Sequence, residues 1–172
     1  NHPLLAMKLS SIYDSPLTAE RQKRVEDVLC HKQPDLTVIM ENVHDPHNIA
    51  AVLRTCDAVG VMEVFVIDTR ENTYRNFDSR KSSSASKWMK VHQFQDVNEC
   101  ITAVRARYGK IYAAYLHDGT RDLYTLDLTE PVALVFGNER DGISADVLAH
   151  CDGNFLIPQV GMIQSLNISV AC

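Results

Sequence analysis

The chain has 172 residues, of which 45% are apolar and 23% charged, and its formal net charge is −5 at pH 7. The composition is that of an ordinary soluble globular protein, and the length suits one domain with a proper hydrophobic core. No apolar run approaches the length that spans a bilayer, which argues against a membrane protein. The first nine residues lack the charged region and the cleavage site of a signal peptide.

The cysteine and histidine patterns do not predict a metal site or a disulfide framework. Five cysteines are scattered through the chain and never form a CxxC pair: Cys30, Cys56, Cys100, Cys151 and Cys172. This pattern predicts reduced thiols in a cytoplasmic protein. His44 and His47 flank Asp45, but they span a predicted helix start and no third ligand is evident. We therefore expect no metal ion.

Basic residues concentrate in two stretches of an otherwise acidic chain. Residues 1–34 carry five Lys/Arg against four acids, and residues 70–90 carry six against two, whereas the remainder holds six against sixteen. Such clustering is compatible with a local phosphate-binding face. On charge alone, an ordinary solvated surface explains the same pattern.

The first part of the chain predicts a helix, a strand and a second helix. Residues 18–32 have helical periodicity, and residues 36–40 form an apolar strand. Asp45 and Pro46 then supply an N-cap and a first-turn proline. The apolar positions that follow at helical spacing are Ile49, Leu53, Cys56 and Val59.

The remaining segments continue the alternation. Strands are predicted at residues 62–67, 89–92, 111–115, 132–136 and 155–157. Three more helices are predicted. One has apolar residues at helical spacing: Val97, Cys100, Ile101, Val104 and Tyr108. The second spans residues 144–150, and the third begins near Ser165. Strands alternating with helices predict an α/β fold, with a parallel sheet covered by helices. We expect a single domain over residues 1–172, with residues 1–34 as a short N-terminal helical extension and a truncated final helix.

Residues 68–86 form a polar, serine-rich segment between two of these strands. Tyr74 and Phe77 stand there among the basic residues Arg70, Arg75, Arg80 and Lys81. A loop of this length in a compact domain is often functional.

The usual nucleotide-binding motifs are absent. Residues 137–142 have the glycine spacing of a P-loop, but Ile143 and Ser144 stand where that motif requires Lys and Ser or Thr. No dinucleotide fingerprint follows the first strand, and an ordinary Rossmann methyltransferase would also require a glycine-rich turn there.

Two unusual polar segments adjoin the predicted strands. Residues 42–55 place Asn48 and Arg54 six positions apart on the second helix, so that they project from different faces. Residues 135–143 run from a buried strand into a glycine-flanked turn that carries Glu139. Taken singly, the first segment also fits a solvated arginine with a first-turn asparagine, and the second fits a simple tight turn.

A third segment, residues 157–171, leads from another strand through Gly161 to Ser165 and Asn167. It resembles an exposed helix N-terminus that offers backbone N–H groups and hydroxyls, although an N-capping serine would explain it equally. Ligands in open α/β sheets bind at the carboxyl ends of the strands, where two of the three segments begin.

Together and in this order, the three segments resemble the three motifs of the SPOUT superfamily of α/β-knot methyltransferases, and in particular its TrmH branch of tRNA guanosine 2′-O-methyltransferases. The resemblance extends from about Thr18 to Cys172. It implies a C-terminal trefoil knot, an exception to the rule against knots. It also implies a homodimer, S-adenosylmethionine as cofactor, and tRNA as substrate. The expected reaction is 2′-O-methylation of a guanosine ribose in the D-loop.

The resemblance also implies roles for individual residues. Arg54 matches the essential arginine of the family, and its other polar positions match Asn48, Glu139, Ser165 and Asn167. The family holds its cofactor mainly through backbone groups, and the matching positions are Ala114, Gly137, Ile157 and Leu166, with Met162 nearby. Arg21 matches an arginine that reaches the active site of the partner subunit and binds RNA. Asn138 departs from the Gln or Ala that is common in close relatives.

Two alternatives remain open. The first is a ribose 2′-O-methyltransferase for ribosomal RNA, although such relatives commonly carry a separate N-terminal RNA-binding domain. The second is a catalytically silent RNA-binding knot, against which the presence of all five matched polar residues argues.

Overall fold

The computed structural model describes residues 18–69, 88–117, 119–162 and 165–172. The polar segment expected to be functional therefore falls almost entirely outside the described residues. The chain divides into two compact units, one up to Lys32 and one from Gln33 onward. In the first unit, helix α1 (Ala19–Cys30) begins at the N-cap Thr18, whose hydroxyl accepts a hydrogen bond from the Arg21 backbone N–H. The predicted first helix is confirmed.

The second unit is built on seven parallel strands. They are β1 (Leu36–Glu41), β2 (Glu63–Ile67), β3 (Lys90–Phe94), β4 (Lys110–Ala114), β5 (Arg121–Asp122), β6 (Val132–Phe136) and β7 (Gly153–Leu156). Their order across the sheet is β3-β2-β1-β6-β4-β7-β5, and every pairing is parallel. The predicted α/β class with a parallel sheet is confirmed. The two-residue strand β5 and the 3₁₀ turn after it (Leu123–Thr125) were not predicted.

Among the described residues, four helices accompany the sheet in this unit: α2 (Pro46–Ala58), α3 (Val97–Arg105), α4 (Ala145–Leu148) and α5 (Ile168–Ala171). Successive residues of a strand point to opposite faces, and β1 illustrates the result. Val38 and Met40 join a buried cluster with residues of α2 and α5, whereas Ile39 joins a second cluster with residues of α3. The sheet is therefore covered on both faces, as predicted.

Helix α2 starts as the sequence predicts. Asp45 is its N-cap, with a carboxylate that accepts a hydrogen bond of 2.8 Å from the His47 N–H, and Pro46 occupies the first turn. The prediction that Val59 continues the apolar face is wrong, because Val59 is the C-cap of the helix and is 50% exposed. The fourth buried residue of the helix, beside Ile49, Leu53 and Cys56, is Val52.

The amino end of β2 carries a buried polar cluster around Glu63, which is 4% exposed. The Glu63 carboxylate accepts hydrogen bonds from the Arg107 guanidinium and the Tyr108 hydroxyl, and it contacts His92 Nε2 at 2.8 Å. Burial raises the pKa of Tyr108 to about 12, so its hydroxyl stays protonated at neutral pH and donates to Glu63. This cluster lies at the end of the sheet opposite the carboxyl ends of the strands.

All five cysteines are unpaired, as the sequence predicts, and Cys56 and Cys100 are buried in the core. Within the described ranges, no helix is both long and apolar enough to cross a membrane.

Candidate active site

Three of the residues singled out from the sequence form one hydrogen-bonded chain. Asn48 donates from Nδ2 to Glu139 Oε1 at 2.5 Å, and Asn167 donates from Nδ2 to Asn48 Oδ1 at 3.1 Å. These residues are far apart in sequence and come from the three separate polar segments. The fold therefore joins the segments through side chains at one place.

The position of Asn48 follows from the start of α2. It lies in the first turn of the helix, just after the strand exit of β1, and it is half-buried. Its amide uses both ends, because the nitrogen donates to a carboxylate and the oxygen accepts from a second amide. This pair of contacts fixes the orientation of the side chain.

Asn167 holds the start of α5. It is the N-cap, and its Oδ1 accepts hydrogen bonds from the Ser169 N–H at 2.8 Å and the Ser169 hydroxyl at 2.6 Å. The helix begins at Ile168 and packs on α2, with Ile168 buried. The sequence placed the start near Ser165 and left a serine cap open. The cap is Asn167 instead, because its carboxamide oxygen accepts from the Ser169 N–H in the first turn of α5.

Arg54 lies on the exposed side of α2 and is not one of the three hydrogen-bonded side chains. Ile49, Val52, Leu53 and Cys56 take the buried side of the helix. Among the described residues, Arg54 makes no hydrogen bond or ion pair. A guanidinium carries five N–H donors in a planar fork that suits carboxylate and phosphate groups.

The turn after β6 carries Glu139 and closes on itself. Asn138 and Gly142 exchange two backbone hydrogen bonds of 3.0 and 2.8 Å, and Gly142 adopts a positive φ of 70°. A Cβ on Gly137 would lie 2.2 Å from the carbonyl oxygen of Gly142, so this turn requires glycine at the strand exit. We call residues 138–144 the Glu139 turn.

The backbone positions that the resemblance assigns to the cofactor lie at neighbouring strand ends. Ala114 ends β4, Gly137 follows β6 and Ile157 follows β7, and these three strands are adjacent in the sheet. Because the strands are parallel, their carboxyl ends lie at the same edge, where ligands of open α/β folds bind.

The peptide groups at this edge fit a ligand held through the backbone. Among the described residues, the peptide groups of Gly137, Ile157 and Leu166 make no backbone–backbone hydrogen bond. Backbone N–H and C=O groups require partners when they are covered, so a bound molecule could supply them. Met162 is fully exposed and Leu166 is 42% exposed, which leaves apolar surface beside these groups. The residues present thus fit a neutral, partly apolar cofactor such as the adenosine part of S-adenosylmethionine.

The structure describes two further predicted site residues. Ser165 is exposed and makes no hydrogen bond with the part of the chain that the structure describes. Arg21 is exposed on α1, in the other compact unit. No cluster of three or more His, Cys, Asp or Glu in the described segments is arranged to hold a metal ion.

Sequence reasoning missed the residues that anchor the Glu139 turn. Asn138 is 9% exposed and donates from Nδ2 to the carbonyl oxygen of Asn42 at 2.7 Å. Glu41 is 1% exposed and accepts a hydrogen bond from the Ser144 N–H. A signal was present for Glu41, because a carboxylate ends a strand that is otherwise almost wholly apolar.

Comparisons with known proteins identify the family of the chain. The family model described as the SpoU rRNA Methylase family matches residues 35–172. The chain is 43% identical, over 154 residues, to a tRNA (guanosine(18)-2′-O)-methyltransferase of Thermus thermophilus, a match that covers 90% of the chain and 78% of that relative.

Solved structures give the same result. The tRNA modifying enzyme TrmH/SpoU of A. aeolicus superposes with a TM-score of 0.76 at 34% identity, covering 88% of this chain and 77% of that one. The SpoU methyltransferase AviRb of Streptomyces viridochromogenes, in complex with S-adenosylmethionine, has a TM-score of 0.68 at 26% identity and covers 84% and 56% respectively. The matched residues contain the whole sheet and all three polar segments. This chain is therefore a member of the SpoU rRNA Methylase family.

Proposed function

We propose that the protein transfers the methyl group of S-adenosylmethionine to the ribose 2′-oxygen of a guanosine in the D-loop of tRNA. The observation that carries this proposal is the Glu139–Asn48–Asn167 chain, which joins all three polar segments beside the strand ends. Membership of a methyltransferase family supports the reaction type, and the name of the 43% identical relative supports guanosine in tRNA as the target.

S-adenosylmethionine supplies an already activated methyl group, so the chain itself has to position the reactants and shape their electrostatics. The peptide groups of Ala114, Gly137, Ile157 and Leu166 bind the cofactor, with Met162 covering its apolar side. Their location at adjacent strand ends and at the start of α5 supports this assignment.

Arg54 orients the ribose and an adjacent phosphate of the RNA. Its exposed guanidinium has no partner among the described residues, and its planar fork suits two phosphate oxygens at once. A guanidinium is effectively always protonated, so a role as general base would require a strong perturbation. The proton of the 2′-hydroxyl therefore leaves through phosphate or water.

Asn48, Glu139 and Asn167 form the surface that binds this ribose. The Glu139 carboxylate accepts from Asn48, and Asn48 accepts from Asn167, so each side chain restricts the next. Ser165, two residues before Asn167, supplies a hydroxyl to the same site. A chain of this kind is suited to hold a reacting hydroxyl in line with a methyl group.

The substrate class can be tested by incubating the protein with labelled S-adenosylmethionine and either unmodified tRNA or ribosomal RNA transcripts. We expect label in tRNA, recovered as 2′-O-methylguanosine, and little label in ribosomal RNA. Label only in ribosomal RNA would show that ribosomal RNA, and not tRNA, is the substrate. Binding of S-adenosylmethionine without transfer to any RNA would identify a catalytically silent RNA-binding protein.

The same proposal includes a trefoil knot at the C-terminal end. Strand β7 follows β5 and β6 in the chain but lies between β4 and β5 in the sheet, so the chain enters an already occupied region. After β7, α5 packs on α2 and buries Ile168 in the core. Both features support a C-terminal segment that threads through an earlier loop.

A homodimer and a cytoplasmic location complete the proposal. Large apolar side chains are exposed around the carboxyl edge of the sheet and on α5, as is typical of a dimer interface. They are Leu116, Tyr124, Val160, Met162 and Val170. The unpaired state of all five cysteines supports a reducing compartment.

A further inference from the structure

Glu41 is a buried carboxylate at the carboxyl end of β1. It is 1% exposed, and the four residues before it in the strand are also buried. Burying a carboxylate is unfavourable unless it is hydrogen-bonded. A side chain retained there against this cost needs a specific partner.

That partner is the end of the Glu139 turn. Glu41 Oε2 accepts a hydrogen bond of 2.9 Å from the Ser144 N–H. Ser144 is in turn the N-cap of α4, and its hydroxyl accepts from the Val147 N–H. The second oxygen, Oε1, is buried without a hydrogen-bond partner among the described residues. Within the described part of the chain, the carboxylate therefore makes one hydrogen bond, at the point where the turn meets α4.

The next residue of the chain holds the beginning of the same turn. Asn42 has a φ of 51°, a left-handed conformation that asparagine tolerates better than most residues. Its carbonyl oxygen accepts from Asn138 Nδ2 at 2.7 Å, and its own side chain accepts from the Thr69 N–H at 3.0 Å. Consecutive residues at the exit of β1 thus hold both ends of the Glu139 turn.

Glu139 lies between these two anchors and is itself exposed. Its position relative to Asn48 therefore depends on how Glu41 and Asn42 hold the two ends of the turn. Asn48 is hydrogen-bonded both to Glu139 and to Asn167. A shift of the turn would therefore displace all three side chains.

We propose that Glu41 is a positioning residue for the methyl transfer, which acts through the Ser144 N–H to hold Glu139 against Asn48. This inference rests on the proposed function of the site. It assigns to Glu41 no contact with RNA or cofactor. Its effect appears in turnover rather than in substrate binding, because a displaced hydrogen-bonded chain leaves the reactants bound but misaligned.

The test compares Glu41→Leu, Glu41→Asp and Glu41→Gln in the full chain. Glu41→Leu keeps the size and removes the acceptor, and we expect kcat to fall by about 100-fold with KM for tRNA changed by no more than about threefold. Its melting temperature should stay within about 5 °C of the original, because an apolar side chain suits this buried position. Glu41→Asp is one methylene shorter, so it should lose the contact and most of the turnover. Glu41→Gln retains an oxygen acceptor and should rescue kcat to within about threefold.

Glu63→Leu is the matched control. Glu63 is a similarly buried glutamate on the neighbouring strand, but at the opposite end of the sheet. Its replacement should lower the melting temperature by about 5 to 10 °C and leave kcat unchanged at temperatures where the variant is folded. Equal losses of kcat in folded Glu41→Leu and Glu63→Leu would assign Glu41 a merely structural role and overturn the proposal.

The NMR signal of the Asn48 side-chain amide reads the positioning independently of activity. In Glu41→Leu and Glu41→Asp this signal should move and its exchange with solvent should accelerate, whereas Glu41→Gln and Glu63→Leu should leave it unchanged. An unchanged signal in both damaging variants contradicts the role of Glu41, even if the protein methylates no RNA. Inactivity of the unmodified protein on every RNA would refute the proposed function alone.

Discussion

Replacing Arg54 with alanine is expected to lower kcat for tRNA methylation by about 10² to 10³-fold, the range seen when a transition-state donor is removed. The dissociation constant for S-adenosylmethionine should stay nearly unchanged, because the assigned cofactor positions lie on later elements of the chain. Single-turnover methylation and calorimetric cofactor titration measure the two quantities separately. Arg54 is exposed on α2, so the substitution should not affect folding.

Two companion variants separate the possible reasons for such a loss. Arg54→Lys keeps the charge and loses the planar fork, so it should recover only part of the turnover. Asn167→Ala should weaken both cofactor binding and turnover, because Asn167 caps α5 next to Leu166 and also contacts Asn48. If Arg54→Ala acted mainly by weakening cofactor binding, the division of roles proposed for the site would be wrong.

The second large effect is expected from mixing two inactive variants. We propose that Arg21 acts in trans, binding RNA phosphate at the active site of the partner subunit. Arg21→Ala and Arg54→Ala homodimers should each be nearly inactive. When the two are folded together, about half of the dimers are mixed, and each mixed dimer has one site with both arginines intact, so activity should recover to about a quarter.

The controls for the mixing experiment are the dimeric state and the folding of each parent, measured by light scattering and circular dichroism. Separately folded parents, combined without exchange of subunits, should remain inactive. A co-folded mixture as inactive as its folded, dimeric parents would show that Arg21 does not act across the interface.

The sequence predicts six of the seven strands because buried parallel strands are nearly continuous apolar runs. Strand β6 has the predicted bounds, Val132–Phe136, and the start of α2 at Asp45 and Pro46 follows from local capping chemistry. Strand β5 has only two residues and no periodicity that could predict it. The order of the strands, with β7 between β4 and β5, depends on long-range pairing that local patterns do not encode.

The predicted site was incomplete for a related reason. Asn48, Glu139 and Asn167 could be singled out because they stand in unusual polar segments at strand ends and helix starts. Their mutual hydrogen bonds depend on tertiary contacts across about 90 or more positions of the chain, as do the anchors Glu41 and Asn138. The sequence marks Asn138 only as a departure from relatives, although its carboxamide connects the exits of β6 and β1.

The most direct test of the account is to map the methylated riboses in tRNA after incubation with the protein and S-adenosylmethionine, using nuclease digestion and mass spectrometry. The account predicts a single new 2′-O-methylguanosine, located in the D-loop, which forms about 10² to 10³-fold more slowly when Arg54→Ala replaces the unmodified protein. A methyl group on a base, or on a ribose outside the D-loop, would contradict it.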